Sequence, residues 1–202
     1  MATRSSCMKL RQSSRRRSSA LLGRFSSLYG IGLVLACGHT ADTHIRRTNS
    51  SSQANDMQTN RATEEVAIRK SVDAFVAAIR AKDVDRVMAA FAPDVVSFDL
   101  GPPLQHGGGE TFAKRWQELF DAYEGALDYE VRDLSITASD DVAFSRSLNH
   151  MAGTLKNGQK TARWLRWTAC YQKLDGKWLI VHEQVSVPVD ARKGTAVLDL
   201  VP

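Results

Sequence analysis

Apolar positions recur at helical spacing between Glu64 and Ala81, where Val66, Ile68, Val72, Phe75, Val76 and Ile79 fall on one broad stripe. Thr63 stands where an N-cap belongs, and Glu64 and Glu65 suit the positive end of the helix. Asp83 is placed to cap a second helix with Val84, Val87, Met88 and Phe91 as its buried side, and Pro93 with Asp94 stops it. Val95 to Asp99 reads as a short strand, and Gly101, Pro102, Pro103 and the run Gly107 to Gly109 read as a loop. Helical spacing returns from Thr111 to Tyr123, carrying Phe112, Trp116, Leu119 and Phe120. Alternation then takes over, and strands are predicted at 127–137, 142–155, 160–174 and 178–187. Ser139 to Asp141, Asn157-Gly158 and Asp175-Gly176 separate them, the last two being strong hairpin turns.

Helices followed by a meander of strands make an α+β domain over 63–190. The expected architecture is a cone of three N-terminal helices packed on a curved, mainly antiparallel sheet. Unbroken alternation in the last strand puts Trp178, Ile180, His182, Gln184 and Ser186 on one face. Leu179, Val181, Glu183, Val185 and Val187 take the other. Apolar residues on both faces mean that neither is left to water. The helices cover one face, and a second copy of the sheet is expected on the other, giving a homodimer.

The flanks differ from this pattern. Residues 38–62 are rich in Ser, Thr, Asn and Gln without an apolar period and are expected to be a flexible linker. Residues 191–202 are a C-terminal tail. Residues 1–37 read as an export signal, with a basic, serine-rich start and the apolar run Phe25 to Ala36, too short to span a bilayer. Val34 to Cys37 resembles a bacterial lipobox, in which Cys37 would carry a lipid anchor. Three readings stay open for this leader: a lipoprotein, a plain secreted protein cleaved near Ala36 or Ala41, and a cytoplasmic protein whose true start is near Met57.

The chain's formal charge of +5 would suit a nucleic-acid partner, yet seven basic residues and no acidic one lie in 1–37. The remainder carries 20 basic against 22 acidic side chains, so no nucleic acid is expected as a partner. Of three cysteines, only Cys170 lies within the domain, which excludes a disulfide or thiolate cluster there.

Three stretches resemble the SnoaL-like and ketosteroid-isomerase-like superfamily, also called nuclear-transport-factor-2-like. The first runs from Phe75 through Asp83 to Phe91, Pro93 and Asp94; the second is Val96 to Asp99 with Gly101, Pro102, Pro103, His106 and Gly107. The third is Asp175, Gly176, Trp178, Ile180, His182, Ser186 and Pro188, with Gln184 where many members carry a second histidine. The resemblance implies a pocketed fold that hosts isomerases, cyclases, dehydratases and non-catalytic subunits alike.

By that resemblance Asp99 stands where ketosteroid isomerases hold their general base. Its composition equally fits an aspartate that bonds the Gly-Pro-Pro turn. The isomerase's oxyanion donors have no counterpart: Phe75 lacks the hydroxyl, and Trp167 to Ala169 hold no carboxyl. Steroid isomerisation is therefore not expected. Asp99 and His182 are the candidate acid/base pair, with Trp116, His150, Trp167 and Gln184 as candidate binding residues. His106 in the glycine-rich loop reads as a solvent-facing or lid residue. The histidines lack metal-ligand spacing, and Gly107 to Gly109 lacks the Lys-Ser/Thr of a phosphate loop, so neither a metal nor another cofactor is expected. In the run Arg163, Trp164, Arg166 and Trp167, one Trp is expected in the cavity, the other at the dimer face, and the arginines at the sheet edge. The expected ligand is a small, mainly apolar carbonyl or hydroxyl compound. A dimeric, non-catalytic scaffold is the alternative.

Overall fold

The computed structural model describes residues 42–202. The export signal, Cys37 and the first residues of the expected linker lie outside the described residues. No described helix is long and apolar enough to cross a membrane.

The first helix, α1, spans Asp42–Ala81. It begins well before Glu64, which corrects both the expected start and the expected linker. The stretch 42–62 contains neither Gly nor Pro, so nothing in its backbone chemistry stops a helix. Thr63 consequently sits inside the helix, where its hydroxyl donates to the Thr59 carbonyl 3.0 Å away instead of capping. Ile68, Val72, Phe75, Ala78 and Ile79 are buried at helical spacing, whereas Val66 is exposed. Glu64 fastens the helix to the sheet, accepting from Lys173 Nζ at 2.7 Å and Trp178 Nε1 at 2.6 Å. The hydrogen bond from Lys173, and then that from Trp178, hold its carboxyl below the usual range.

Lys82 takes a left-handed conformation after α1, and Asp83 caps α2 (Val84–Met88) by accepting from the Arg86 N–H at 3.0 Å. The expected second helix is therefore shorter, and Phe91 opens β1 (Phe91–Phe98). The short β2 (His106–Gly107) leads into α3 (Gly109–Ala122). Then come β3 (Tyr123–Ala138), β4 (Val142–Leu155), β5 (Lys160–Leu174) and β6 (Lys177–Ser186). β7 (Val189–Asp190) and β8 (Thr195–Ala196) form a separate small ribbon. Asp175 and Gly176 both adopt positive φ, 49° and 78°, as the Asp-Gly turn between β5 and β6 requires.

The main sheet runs β2-β1-β6-β5-β4-β3 and is antiparallel except where β1 meets β6. Register breaks in the β3/β4, β5/β6 and β1/β6 pairings bend it into a curved sheet. Its concave face and the helices enclose one core, in which Phe75 stacks on Trp167 with centroids 5.6 Å apart. The opposite face leaves Phe98, Val142 and Phe144 exposed. This is the expected α+β cone.

Tyr123 closes the core beneath β4, where a Cβ on Gly153 would lie 2.8 Å from the Tyr123 ring and 3.2 Å from Leu127. Tyr123 cannot swing aside cheaply, since its hydroxyl accepts from Thr161 at 3.0 Å. Gly153→Ala is expected to destabilise the fold by about 1–3 kcal/mol through overpacking, read as a lower urea midpoint. An unchanged midpoint would contradict this packing.

Candidate functional site

A cavity of about 340 Å³ lies between α3 and the concave face of the sheet. Phe75, Trp116, Trp167 and Met151 give it an apolar wall, while Asp99, Arg115, Arg163, Tyr129, Asn149 and Glu183 bring polar groups to it. This volume lies at the small end of ligand pockets, which run from roughly 300 to 1,000 Å³.

The last strand places its residues otherwise than unbroken alternation predicts. Cys170 pairs with His182 and Tyr171 with Ile180, so Val181 has no partner on β5. One extra residue reverses the phase of everything after it. Trp178 and Ile180 face the core as expected, but Glu183 then turns inward and His182 and Gln184 turn outward. This corrects two candidates. His182 donates from Nδ1 to the Val96 carbonyl at 2.8 Å and sets its ring edge-on to Phe98 at 4.7 Å, away from the cavity. Gln184 is exposed.

His150 is corrected as well. It lies on the outward face of β4 beside Trp164, centroids 5.0 Å apart, and the Arg132 guanidinium covers the same indole at 4.6 Å. Trp164 and Trp167 thus take opposite faces of β5, as expected, but Arg163 lines the cavity instead of the sheet edge. His106 is buried, which corrects its solvent-facing placement.

Asp99, Trp116 and Trp167 do line the cavity. Asp99 joins the two roles left open for it: Oδ2 pairs with Arg115 Nη2 at 2.9 Å, and Oδ1 accepts the Leu100 N–H at 2.7 Å. Both oxygens are therefore engaged. Trp116 meets Phe75 edge-on at 5.7 Å.

Glu183 is the group the sequence reading put on the wrong face. It is 3% exposed, accepting from Ser97 Oγ at 3.0 Å on Oε1 and from Trp167 Nε1 at 2.8 Å on Oε2. Burial pushes its pKa up from 4.5 to about 7, against the two hydrogen bonds that lower it, and the charge of Asp99 adds to the rise. A carboxyl with such a pKa is divided between acid and base near neutral pH, as proton-transfer catalysis requires.

A polar strip continues along the concave face. Ser147 Oγ donates to Asn149 Oδ1 at 2.6 Å, and Asn149 Nδ2 donates to the Tyr129 hydroxyl at 2.8 Å. Ser145 and Tyr171 share a hydrogen bond of 3.0 Å. Burial raises the pKa of both tyrosines, that of Tyr171 to about 12, so both stay neutral donors. Alternation in β3 and β4 foreshadows this strip, but serines and asparagines in mid-strand carry no mark that tells an inward position from an outward one.

Residues 68–190 match the family model described as a SnoaL-like domain. No curated protein matches the chain. Among solved structures, the chain is similar to an NTF2-like protein of unknown function from Pseudomonas putida KT2440, with 27% identity and a TM-score of 0.64 over 70% of this chain and 98% of that one. It is also similar to a ketosteroid isomerase-like protein from Erwinia carotovora atroseptica SCRI1043, with 24% identity and a TM-score of 0.53 over 60% and 93% of the respective chains. A third, from Streptomyces avermitilis, is provisionally called a dehydratase of the NTF2-like family. It shares 14% identity and a TM-score of 0.57 over 65% and 99% of the two chains. The last two likenesses concern the fold alone.

Proposed function

The chain belongs to the SnoaL-like domain family, and from that premise we propose that its cavity binds a small, mainly apolar carbonyl or hydroxyl compound and acts on it by acid/base chemistry. The reaction class is isomerisation, cyclisation or dehydration. The observation that carries this reading is Glu183, a buried carboxyl at an aromatic cavity with its pKa raised to about 7. As a carboxylate it takes a proton from carbon next to a carbonyl; as an acid it returns that proton to carbon or to a departing hydroxyl. Trp167 and Ser97 hold it in place by hydrogen bonds, and Phe75 and Trp116 supply apolar contact area for the substrate. Asp99 takes a supporting part, since its carboxylate is ion-paired with the Arg115 guanidinium at 2.9 Å, whereas the donors to Glu183 are neutral.

The test is a thermal-shift screen of the chain against steroids, polyketide fragments and aromatic acids, with each binder then assayed for turnover. A compound at 100 times its dissociation constant should add about 2.7 kcal/mol of stability. Binders that occupy the cavity and are turned over would support the reading. A screen in which no compound raises the melting temperature would count against it.

A further inference from the structure

The N–H donors around the cavity outnumber the acceptors free to meet them. Arg115 Nε and Trp116 Nε1 are buried, and neither has a hydrogen-bond partner. Both residues line the cavity. Arg163 lines it from β5, opposite Met151 of β4, and forms no ion pair among the described residues.

The acceptors are committed elsewhere. Asp99 serves Arg115 Nη2 and the Leu100 N–H, Glu183 serves Ser97 and Trp167, and Asn149 Oδ1 serves Ser147. The remaining lining carboxylate, Glu118, is exposed and pairs with no cation among the described residues. A buried N–H without an acceptor leaves a desolvation cost that a ligand oxygen can remove. The Asp99 carboxylate balances one of the two guanidinium charges at the cavity, that of Arg115. Glu118 stands in water and Glu183 is mainly uncharged below pH 7, so there the charge of Arg163 is left for the ligand, and charge-assisted bonds to a planar oxyanion are the strongest that a guanidinium makes.

We propose that the ligand is an aromatic or alicyclic carboxylate, its anionic head held by Arg163 with Arg115 Nε and Trp116 Nε1 and its apolar body against Phe75 and Trp167. This rests on the reading of the cavity as a ligand site and names the group that reading leaves open. The neutral isostere offers oxygen but no charge, so it should bind more weakly.

The experiment is calorimetric titration of the full chain with 2-naphthoate and, separately, with 2-naphthylmethanol, which shares its rings but is neutral. The carboxylate is expected to bind at least tenfold more tightly. Arg163→Met should weaken naphthoate about tenfold and naphthylmethanol by no more than about threefold, while Arg163→Lys should recover part of the naphthoate loss. Arg163 is half-buried at the cavity, and circular dichroism of each variant checks that the fold is kept. Equal affinity for the two compounds would overturn the carboxylate proposal while sparing the cavity as a ligand site. An Arg163→Met variant that weakens both equally would do the same. Binding of neither compound would overturn the proposal together with the reading it rests on.

Discussion

Glu183→Gln is expected to lose turnover by about 10²- to 10⁴-fold, the usual contribution of a positioned acid/base group, while making the folded chain more stable at alkaline pH. The two effects have one cause. In the unfolded chain Glu183 ionises near its ordinary value of 4.5, and in the folded chain near 7. Between those values the folded state binds more protons. The stability tied to this carboxyl is therefore complete below pH 4.5, falls as pH rises towards 7, and stays low above it. A shift of that size corresponds to about 3 kcal/mol. Glutamine has no proton to lose, and it can keep both contacts: Oε1 accepts from Trp167 and Nε2 donates to Ser97 Oγ. The variant should match the wild type near pH 4 and exceed it by about 3 kcal/mol at pH 8, measured as urea midpoints across that range. Parallel pH profiles for the two proteins would show that Glu183 is not held protonated by its surroundings. A binder turned over equally well by the variant would remove Glu183 from the chemistry.

How far the sequence led can be judged from single residues. The hairpins were legible because Asp175-Gly176 encodes its own positive φ angles, and that chemistry is local. The buried stripe of α1 was legible from Ile68 to Ile79 because packing follows helical period. The start of α1 was not, since Ser, Thr, Asn and Gln form no apolar stripe and carry no breaker either. Trp116 and Trp167 reach the cavity as expected because each lies on an element whose face the pattern fixes, whereas Asp99, just past the end of β1, was a candidate through the family resemblance.

Glu183 and His182 exchanged faces for a reason that lies outside β6. Val181 is an ordinary strand residue, and nothing in its type announces a bulge. The phase is set where β6 pairs with β5 on one side and with β1 on the other, and the β1 register shifts in the same region, between Phe91 and Val96. A glutamate within the run Leu179 to Val185 was the available signal. A charge amid apolar strand residues is costly on a covered face, so it marks either an edge or a site. Arg115 was missed for a comparable reason: a helical Arg between Lys114 and Trp116 looks solvated until Asp99 is seen beside it.

Trp167 carries the second large effect, because it both fills the core and holds Glu183. Trp167→Ala should cost about 3–5 kcal/mol, as it removes the ring stacked on Phe75 and leaves a hole in the cavity wall. Trp167→Phe separates the two roles. Phenylalanine keeps most of the stacking but offers no N–H to Glu183 Oε2. The volume lost costs the same at every pH, whereas the lost hydrogen bond matters most when the carboxyl is ionised. Hydrogen bonds to charged groups are worth about 1.5–3 kcal/mol, but one pH unit above a pKa of about 7 the ionised form leads the neutral one by only about 1.4 kcal/mol, so the variant should be about 1 kcal/mol further destabilised at pH 8 than at pH 5. The bond from Trp167 also lowers the Glu183 pKa, so its loss should move the titration above 7, visible as a shifted midpoint in the pH dependence of stability. Placed on the Glu183→Gln background, Trp167→Phe should cost the same at both pH values, because the titrating group is gone. If the pH-dependent cost persists there, the charge that Trp167 steadies is some other group, and the assignment of Glu183 as the titrating centre of the cavity falls.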